Sequence, residues 1–257
     1  MLRTSRGIIL RRKKDKEADE IIHFLSESGE NEVLRIHGIR ATRSRNNLIT
    51  EPGSIIEFVF YPGKENSYGS LKEGSLIERF DSIKSSYRGA LFLSALLDLT
   101  YNVSRDESGQ EIYDLLERTL KYVDENNLFY GEKNNIQALL LFNFFTIRLF
   151  SILGIMGSME FCSSCGQKFS NTVFWNIPSM EFLCSKCDSR AEKEDFILLQ
   201  TISSASVQKF GKFYTKAKII QKNSPDFIES ITRKIRFCLS SLTQEIPACE
   251  EFFKQNL

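Results

Sequence analysis

The chain has 257 residues, 42% of them hydrophobic and 26% charged, which describes an ordinary soluble globular protein with room for one large domain or two modest ones. Its formal net charge of +1 conceals an uneven spread: residues 1–50 carry eleven Lys/Arg against seven Asp/Glu, residues 205–257 carry nine against five, and the middle is acidic. The start of the chain has no apolar run of signal-peptide type. The longest apolar-rich stretch, Leu139 to Met156, is interrupted by Asn143, Thr146, Arg148 and Ser151, so no membrane span is expected.

In chain order, Gly7 to Arg12 reads as a first strand, and a charged stretch from Lys13 to Asp19 leads to an antiparallel partner, Glu20 to Leu25. Ser28 to Asn31 is a turn, Glu32 to His37 alternates as a third strand, and Gly38 breaks it. Ile55 to Tyr61 is the strongest strand pattern, and Gly74 to Phe80 supplies a fifth. Five short strands in eighty residues predict a small closed barrel of the oligonucleotide-binding (OB) type. Beyond Asp81 the period changes to helical: Arg88 to Leu99, an amphipathic Glu111 to Asn126, and Asn135 to Leu153, which is apolar nearly all round and reads as the buried centre of a helical domain. Helices resume at Asp195 to Ile202 and Val207 to Gln221, and a last one opens at Pro225-Asp226.

Between these helices lies Cys162-Ser-Ser-Cys165-Gly166 and then, with eighteen residues intervening between Cys165 and Cys184, Cys184-Ser-Lys-Cys187. Paired Cys-x-x-Cys turns bring four thiolates to one tetrahedral ion at a bond length of about 2.3 Å, the structural zinc arrangement. Four thiolates leave no open position, so the Zn2+ is expected to be structural. The segment between the pairs is long enough for a short hairpin but not for a core of its own, and the metal would supply the missing stability. Cys238 and Cys249 fall in helical sequence and read as free thiols, which together with the metal site points to a reducing cytoplasm. The expected architecture is α+β: an N-terminal OB-fold β-barrel over residues 1–80, then an α-helical domain over 81–257 with a four-cysteine zinc loop, 160–190, inserted.

The cations suggest an anion-binding surface. Arg11, Arg12, Lys13 and Lys14 sit at a hairpin end, Arg35 lies in the third strand, and Arg40, Arg43 and Arg45 occupy the polar loop after it. On a barrel these can neutralise phosphates while the barrel face accepts unstacked bases. Lys209, Lys212 and Lys216 follow one another along one helix and either extend a DNA path or form a solvated face. The chain has no Gly-x-x-x-x-Gly-Lys loop, which argues against a P-loop nucleotidase. His23 and His37 fall in predicted strands outside any His-Glu-x-x-His pattern, and no Ser-His-Asp constellation is evident. Phe142, Phe144 and Phe145 read as core.

The order of parts resembles the RecO family of bacterial recombination mediators along essentially the whole chain. The N-terminal resemblance rests on Gly7-Ile-Ile-Leu-Arg-Arg12, on Glu17-x-Asp19 followed by Ile21 to Gly29, and on His37-Gly38-Ile-Arg40-x-x-Arg43-Ser44. The C-terminal resemblance rests on Phe145-x-x-Arg148-Leu149-x-x-x-Leu153-Gly154 leading into the first cysteine pair. Departures are Asp15 or Lys16 where a glycine is usual, Thr146 for a glutamate, and His37 for a basic residue.

The resemblance implies a non-enzymatic, cytoplasmic, nucleoid-associated protein of bacterial DNA repair. Such a protein binds single- and double-stranded DNA, anneals complementary strands and works with RecR. It engages the acidic C-terminal tail of single-stranded DNA-binding protein (SSB), and so helps RecA load onto coated strands. A site for such a tail needs an apolar pocket rimmed by cations, and Leu139 to Leu153 with Arg118, Lys121 and Arg148 offers that material. Two rival classes are a zinc enzyme acting on nucleic acid, which would need an open metal position, and a zinc-ribbon DNA-binding transcription regulator, which would prefer particular duplex sequences.

Overall fold

The computed structural model describes residues 1–15, 17–39, 50–63, 67–104, 108–130, 135–192, 196–197, 202, 207, 210–223, 226–242 and 246–256. They divide into two compact units, Met1–Gly131 with Ile246–Phe252, and Glu132–Glu245 with Phe253–Leu257.

Five strands build the first unit's barrel: β1 (Arg3–Asp15), β2 (Asp19–Ser26), β3 (Asn31–Ile36), β4 (Ile55–Tyr61) and β5 (Gly69–Glu78). They close in the order β1-β2-β3-β5-β4, antiparallel throughout except where β3 meets β5 in parallel at Leu34↔Gly69 and Arg35↔Ser70. Period-two alternation decides what fills the interior. Ile9, Ile22, Phe24, Leu34, Ile36, Ile56, Phe58 and Phe60 point inward, with Phe24 stacked on Phe58 at 4.3 Å between ring centroids. The same alternation turns Ile21, His23, Val33 and Arg35 outward.

Three details differ from the sequence expectation. β1 continues through Lys13 and Lys14 to Asp15, because the backbone ladder with β2 holds where the hydrophobic pattern has already stopped. β5 starts at Gly69, five residues before the expected Gly74; its side chains are mostly half-buried or exposed, so alternation gives no signal there. β3 ends at Ile36, leaving His37 in the following turn, where Asp19 bonds both His37 Nδ1 (2.9 Å) and the N–H of Gly38 (3.0 Å).

The barrel is covered by α2 (Tyr87–Val103) on β1 and α3 (Gly109–Glu125) on β2, with the short α1 (Asp81–Lys84) packed against both helices. Ser86 caps α2 by accepting from the N–H of Gly89. Because α2 packs on β1, Ile8 and Leu10 are buried even though they lie on the outer side from Ile9. The β2–β3 turn seats against the start of α3 so closely that a Cβ on Gly109 would come within 1.9 Å of the Gly29 carbonyl oxygen.

The second unit centres on α4 (Asn135–Ile152), which is apolar nearly all round. Phe142, Phe144 and Phe145 are buried core, as expected. Phe144 meets Phe210 and Phe213 of α5 (Phe210–Asn223), and a polar tie, Asn143 Nδ2 to Thr232 Oγ1 at 2.8 Å, joins α4 to α6 (Phe227–Leu242). The expected single last helix is two, α6 and α7 (Pro247–Asn256). Pro247, which has no N–H, fits the first position of a new helix and not the middle of an old one. Cys238 and Cys249 are free and buried. Among the described residues no helix is long and apolar enough to cross a membrane.

Gly109→Ala should lower the unfolding free energy by about 1–3 kcal/mol, since the added methyl meets backbone that cannot swing aside. Gly211→Ala, where a Cβ meets nothing within 4 Å, should raise it by about 0.5–1 kcal/mol by restricting the unfolded chain. Urea midpoints moving in opposite directions are the expected result.

Candidate functional site

The four cysteines come from two tight turns. In the first, the N–H of Gly166 donates to the Cys162 carbonyl at 2.9 Å, and Gly166 takes φ +69°, where a side chain would be strained. In the second, the N–H groups of Cys187 and Asp188 both donate to the Cys184 carbonyl at 2.9 Å. A short hairpin of β6 (Phe174–Asn176) and β7 (Glu181–Leu183) separates them, with Trp175 paired to Phe182 and both side chains buried. The N–H of Ser163 donates to the Phe182 carbonyl and the N–H of Cys184 points at the Cys162 Sγ, so the hairpin holds one turn against the other.

The four sulfurs all lie within 4.8 Å of one another, and Cys165 Sγ is 3.6 Å from Cys184 Sγ. A tetrahedral ion with bonds of about 2.3 Å needs sulfurs about 3.8 Å apart, so the donor set and its spacing fit a metal. The electrostatics point the same way. Burial opposes the Cys162 thiolate, but backbone N–H groups from Cys165, Cys184 and Ser164 outweigh it and bring Cys162 down to about 6. Cys187, tied to the Cys165 side chain, is pushed up to about 12. Thiols this close cannot all ionise on their own, and a divalent cation would relieve that conflict. Cys162 and Cys184 are buried while Cys165 and Cys187 face outward.

The barrel cations do not share one environment. Arg11, Lys13 and Lys14 are exposed at the β1 end and make no ion pair among the described residues. The Arg11 guanidinium lies over the Tyr101 ring at 5.2 Å. Arg12, in contrast, pairs with the buried Glu20, and Arg35 pairs with Asp15 at 2.9 Å while lying over Tyr68 at 5.4 Å. Arg40, Arg43, Arg45 and Lys209 lie outside the described residues. Lys212 is exposed on α5, and Lys216 is on the same helix.

Of the partner-site residues, Arg118 pairs with Asp114, and Lys121 with Glu117 and Glu78, all in the first unit. Arg148, on α4 in the second unit, is half-buried and makes no ion pair among the described residues. The expected apolar material of α4 is almost wholly interior, with Leu139 to Phe145 buried.

Sequence reading did not single out Tyr68 and Tyr101, the rings beneath Arg35 and Arg11. The tyrosines stand respectively before β5 and on α2, far from their arginines in the chain, so spacing carries no signal for either pair. In the sequence His23 shows only as a residue of a predicted strand. It packs edge-on to Tyr101 at 5.2 Å, and burial, helped by Arg11 and Lys13, lowers its pKa.

Comparison with known proteins agrees with this arrangement. Residues 1–80 match the family model for the N-terminal part of recombination protein O, and residues 84–218 match the model for its C-terminal part. A protein from Leptospira biflexa named DNA repair protein RecO is 28% identical over 256 residues, covering 98% of this chain and 97% of that protein. Proteins of the same name from Halalkalibacterium halodurans and Acetivibrio thermocellus are 23% and 26% identical over 188 and 186 residues, 73% and 72% of this chain and 69% and 70% of theirs. With a closed five-strand barrel beneath the first match and the helical region with its four clustered cysteines within the second, the chain belongs to the recombination protein O family.

Proposed function

We propose that the protein is a non-enzymatic DNA-binding recombination mediator in DNA repair. It anneals complementary strands and, with RecR, helps RecA load onto SSB-coated single-stranded DNA in the bacterial cytoplasm, at the nucleoid. The observation that carries this reading is the match of residues 1–80 and 84–218 to the two parts of one recombination family. The relative aligned along 98% of the chain is named for DNA repair. Both matches are to that family, so a zinc-ribbon transcription regulator is not favoured.

Residues 1–80 form the DNA-binding domain on this reading, and 81–257 a helical domain whose loop 160–190 is held by Zn2+ on Cys162, Cys165, Cys184 and Cys187. Bound there, the ion would supply cross-linking energy to a hairpin with little core of its own. Arg11, Lys13 and Lys14 serve as phosphate-neutralising cations, with Arg40, Arg43 and Arg45 from the loop after β3 and Lys209, Lys212 and Lys216 extending the path. Arg12 and Arg35, already paired with acids, contribute less. Arg118, Lys121 and Arg148 are the proposed cations for the SSB tail.

Metal analysis of protein purified without chelator should find one equivalent of zinc. Cys184→Ser should lose it and melt at lower temperature, while Cys238→Ser keeps it; less than a tenth of an equivalent in the parent would defeat the metal reading.

The logarithm of the affinity for single strands should fall linearly with the logarithm of salt concentration. Lys13→Ala with Lys14→Ala should flatten the slope by about 1.4, at about 0.7 for each lost phosphate contact. Arg12→Ala should leave the slope nearly unchanged and lower stability, because buried Glu20 loses a partner. An unchanged slope in the double variant would move the binding surface elsewhere.

The reading as a whole is tested by annealing complementary oligonucleotides, bare and coated with SSB. Both should anneal faster with the protein present, and no acceleration of either would sink the proposal. Arg148→Glu should slow the coated reaction only; equal slowing of both would remove Arg148 from the partner site.

A further inference from the structure

Beside the outer face of β2 and β3 lies a cleft of about 490 Å³, within the ~300–1,000 Å³ range of ligand pockets. Its walls include His23 of β2, Glu32 and Val33 of β3, and Tyr101 and Asn102 near the end of α2. All of these belong to the first unit.

The chemistry of its walls is specific. The Tyr101 ring has the His23 ring edge-on at 5.2 Å and the Arg11 guanidinium over its face at 5.2 Å. Arg11 and Lys13 are exposed next to it on β1, where the ladder pairs Arg11 with His23 and Lys13 with Ile21. Glu32, half-buried, keeps one oxygen 2.8 Å from Arg3 Nη1 and adds an acceptor to the cleft wall. Asn31 and Ser104 brace the cleft end by bonding each other, Asn31 Nδ2 to the Ser104 carbonyl at 2.7 Å and Ser104 Oγ to Asn31 Oδ1 at 3.1 Å. The site therefore combines an aromatic ring, a carboxylate acceptor and external cations.

We infer that this cleft holds a single unstacked nucleobase of a DNA strand, with Tyr101 as the ring it packs on and Arg11 and Lys13 taking the flanking phosphates. Every base has an apolar π-face for Tyr101, and a base with an exocyclic amino group, such as cytosine, can also donate to Glu32. A duplex keeps its bases stacked and cannot fill the cleft, so the site favours single strands. His23 supports this role as a neutral ring: burial, then Arg11 and Lys13, disfavour its charged form. The inference rests on the DNA-binding reading and adds to it the residues that sense a base and not merely a phosphate.

The test compares oligodeoxycytidine with an abasic strand of equal length at fixed salt. Tyr101→Ala should weaken oligodeoxycytidine binding by about five- to hundred-fold and leave abasic-strand affinity unchanged, while Tyr101→Phe restores binding. Asn102→Trp, which introduces bulk from an exposed position on the cleft wall, should give the same selective loss and provides an independent variant if Tyr101→Ala does not fold. Equal losses on both strands, or no loss on either, would overturn the base site while leaving DNA binding itself intact. A parent protein that binds neither strand would instead overturn the DNA-binding reading, and the base site with it. Free deoxycytidine monophosphate binding as tightly as the strand would reassign the cleft to mononucleotides and overturn the inference.

Discussion

Closure of the barrel depends on its shortest seam. β3 and β5 meet in parallel over two registered pairs, Leu34↔Gly69 and Arg35↔Ser70, and a Cβ on Gly69 would come within 2.6 Å of the Leu34 side chain. Leu34 is fully buried in the barrel core, so the strands approach this closely only because one partner is glycine. Closing the seam removes two free edges and, with them, the freedom to slip register. With the register fixed, Phe24, Phe58 and Phe60 face inward, and His23, Val33 and Arg35 face outward.

The two candidate sites use different sources of order. The outer face of the barrel inherits its geometry from hydrogen-bonded strands and from a helix packed across them, so Tyr101 can meet His23 and Arg11 without any bound group. The cysteine loop has much less to rely on. Trp175 and Phe182 form a small buried pair, with Lys234 over the Trp175 ring at 6.0 Å and Arg190 over Phe174 at 4.0 Å. With Phe169, Val173 and Met180 buried as well, this is still a small core for a loop of this length, and its ladder is three residues long. The sulfur cluster provides the remaining constraint when it holds an ion.

Legibility in the sequence followed the range of each signal. The cysteine pairs were readable because each turn is local and the chemistry needs all four residues. The inward faces of β2, β3 and β4 were readable because alternation is a two-residue rule. The first half of β5 was not, since a strand with few buried side chains carries no alternation. The break between α6 and α7 has only a single-residue signal, Pro247, which suits the first position of a helix. The cation environments were also hidden. Arg12 and Lys13 are adjacent and of like charge, yet one is paired with a buried carboxylate and the other is exposed, a difference set by strand parity across a ladder. Tyr101 meeting Arg11 joins positions ninety residues apart, a contact only the fold creates.

The segment Ile246–Phe252 belongs to the first unit although more than a hundred residues of the second unit precede it. Phe252 packs edge-on to Phe92 at 5.6 Å, and the Cys249 thiol reaches the Ala95 carbonyl, both on the α2 that also covers β1. The N-terminal unit is therefore not encoded by one continuous stretch of gene. As the chain leaves the ribosome, the barrel strands emerge first, but the side chains of Ile246–Phe252 that pack on α2 arrive only after more than a hundred residues of the second unit. Sequence-distant closure of this kind raises contact order and slows the final step of folding. A chain ending at residue 218, where the family match stops, would retain the whole barrel sequence and still lack the side chains that pack on α2.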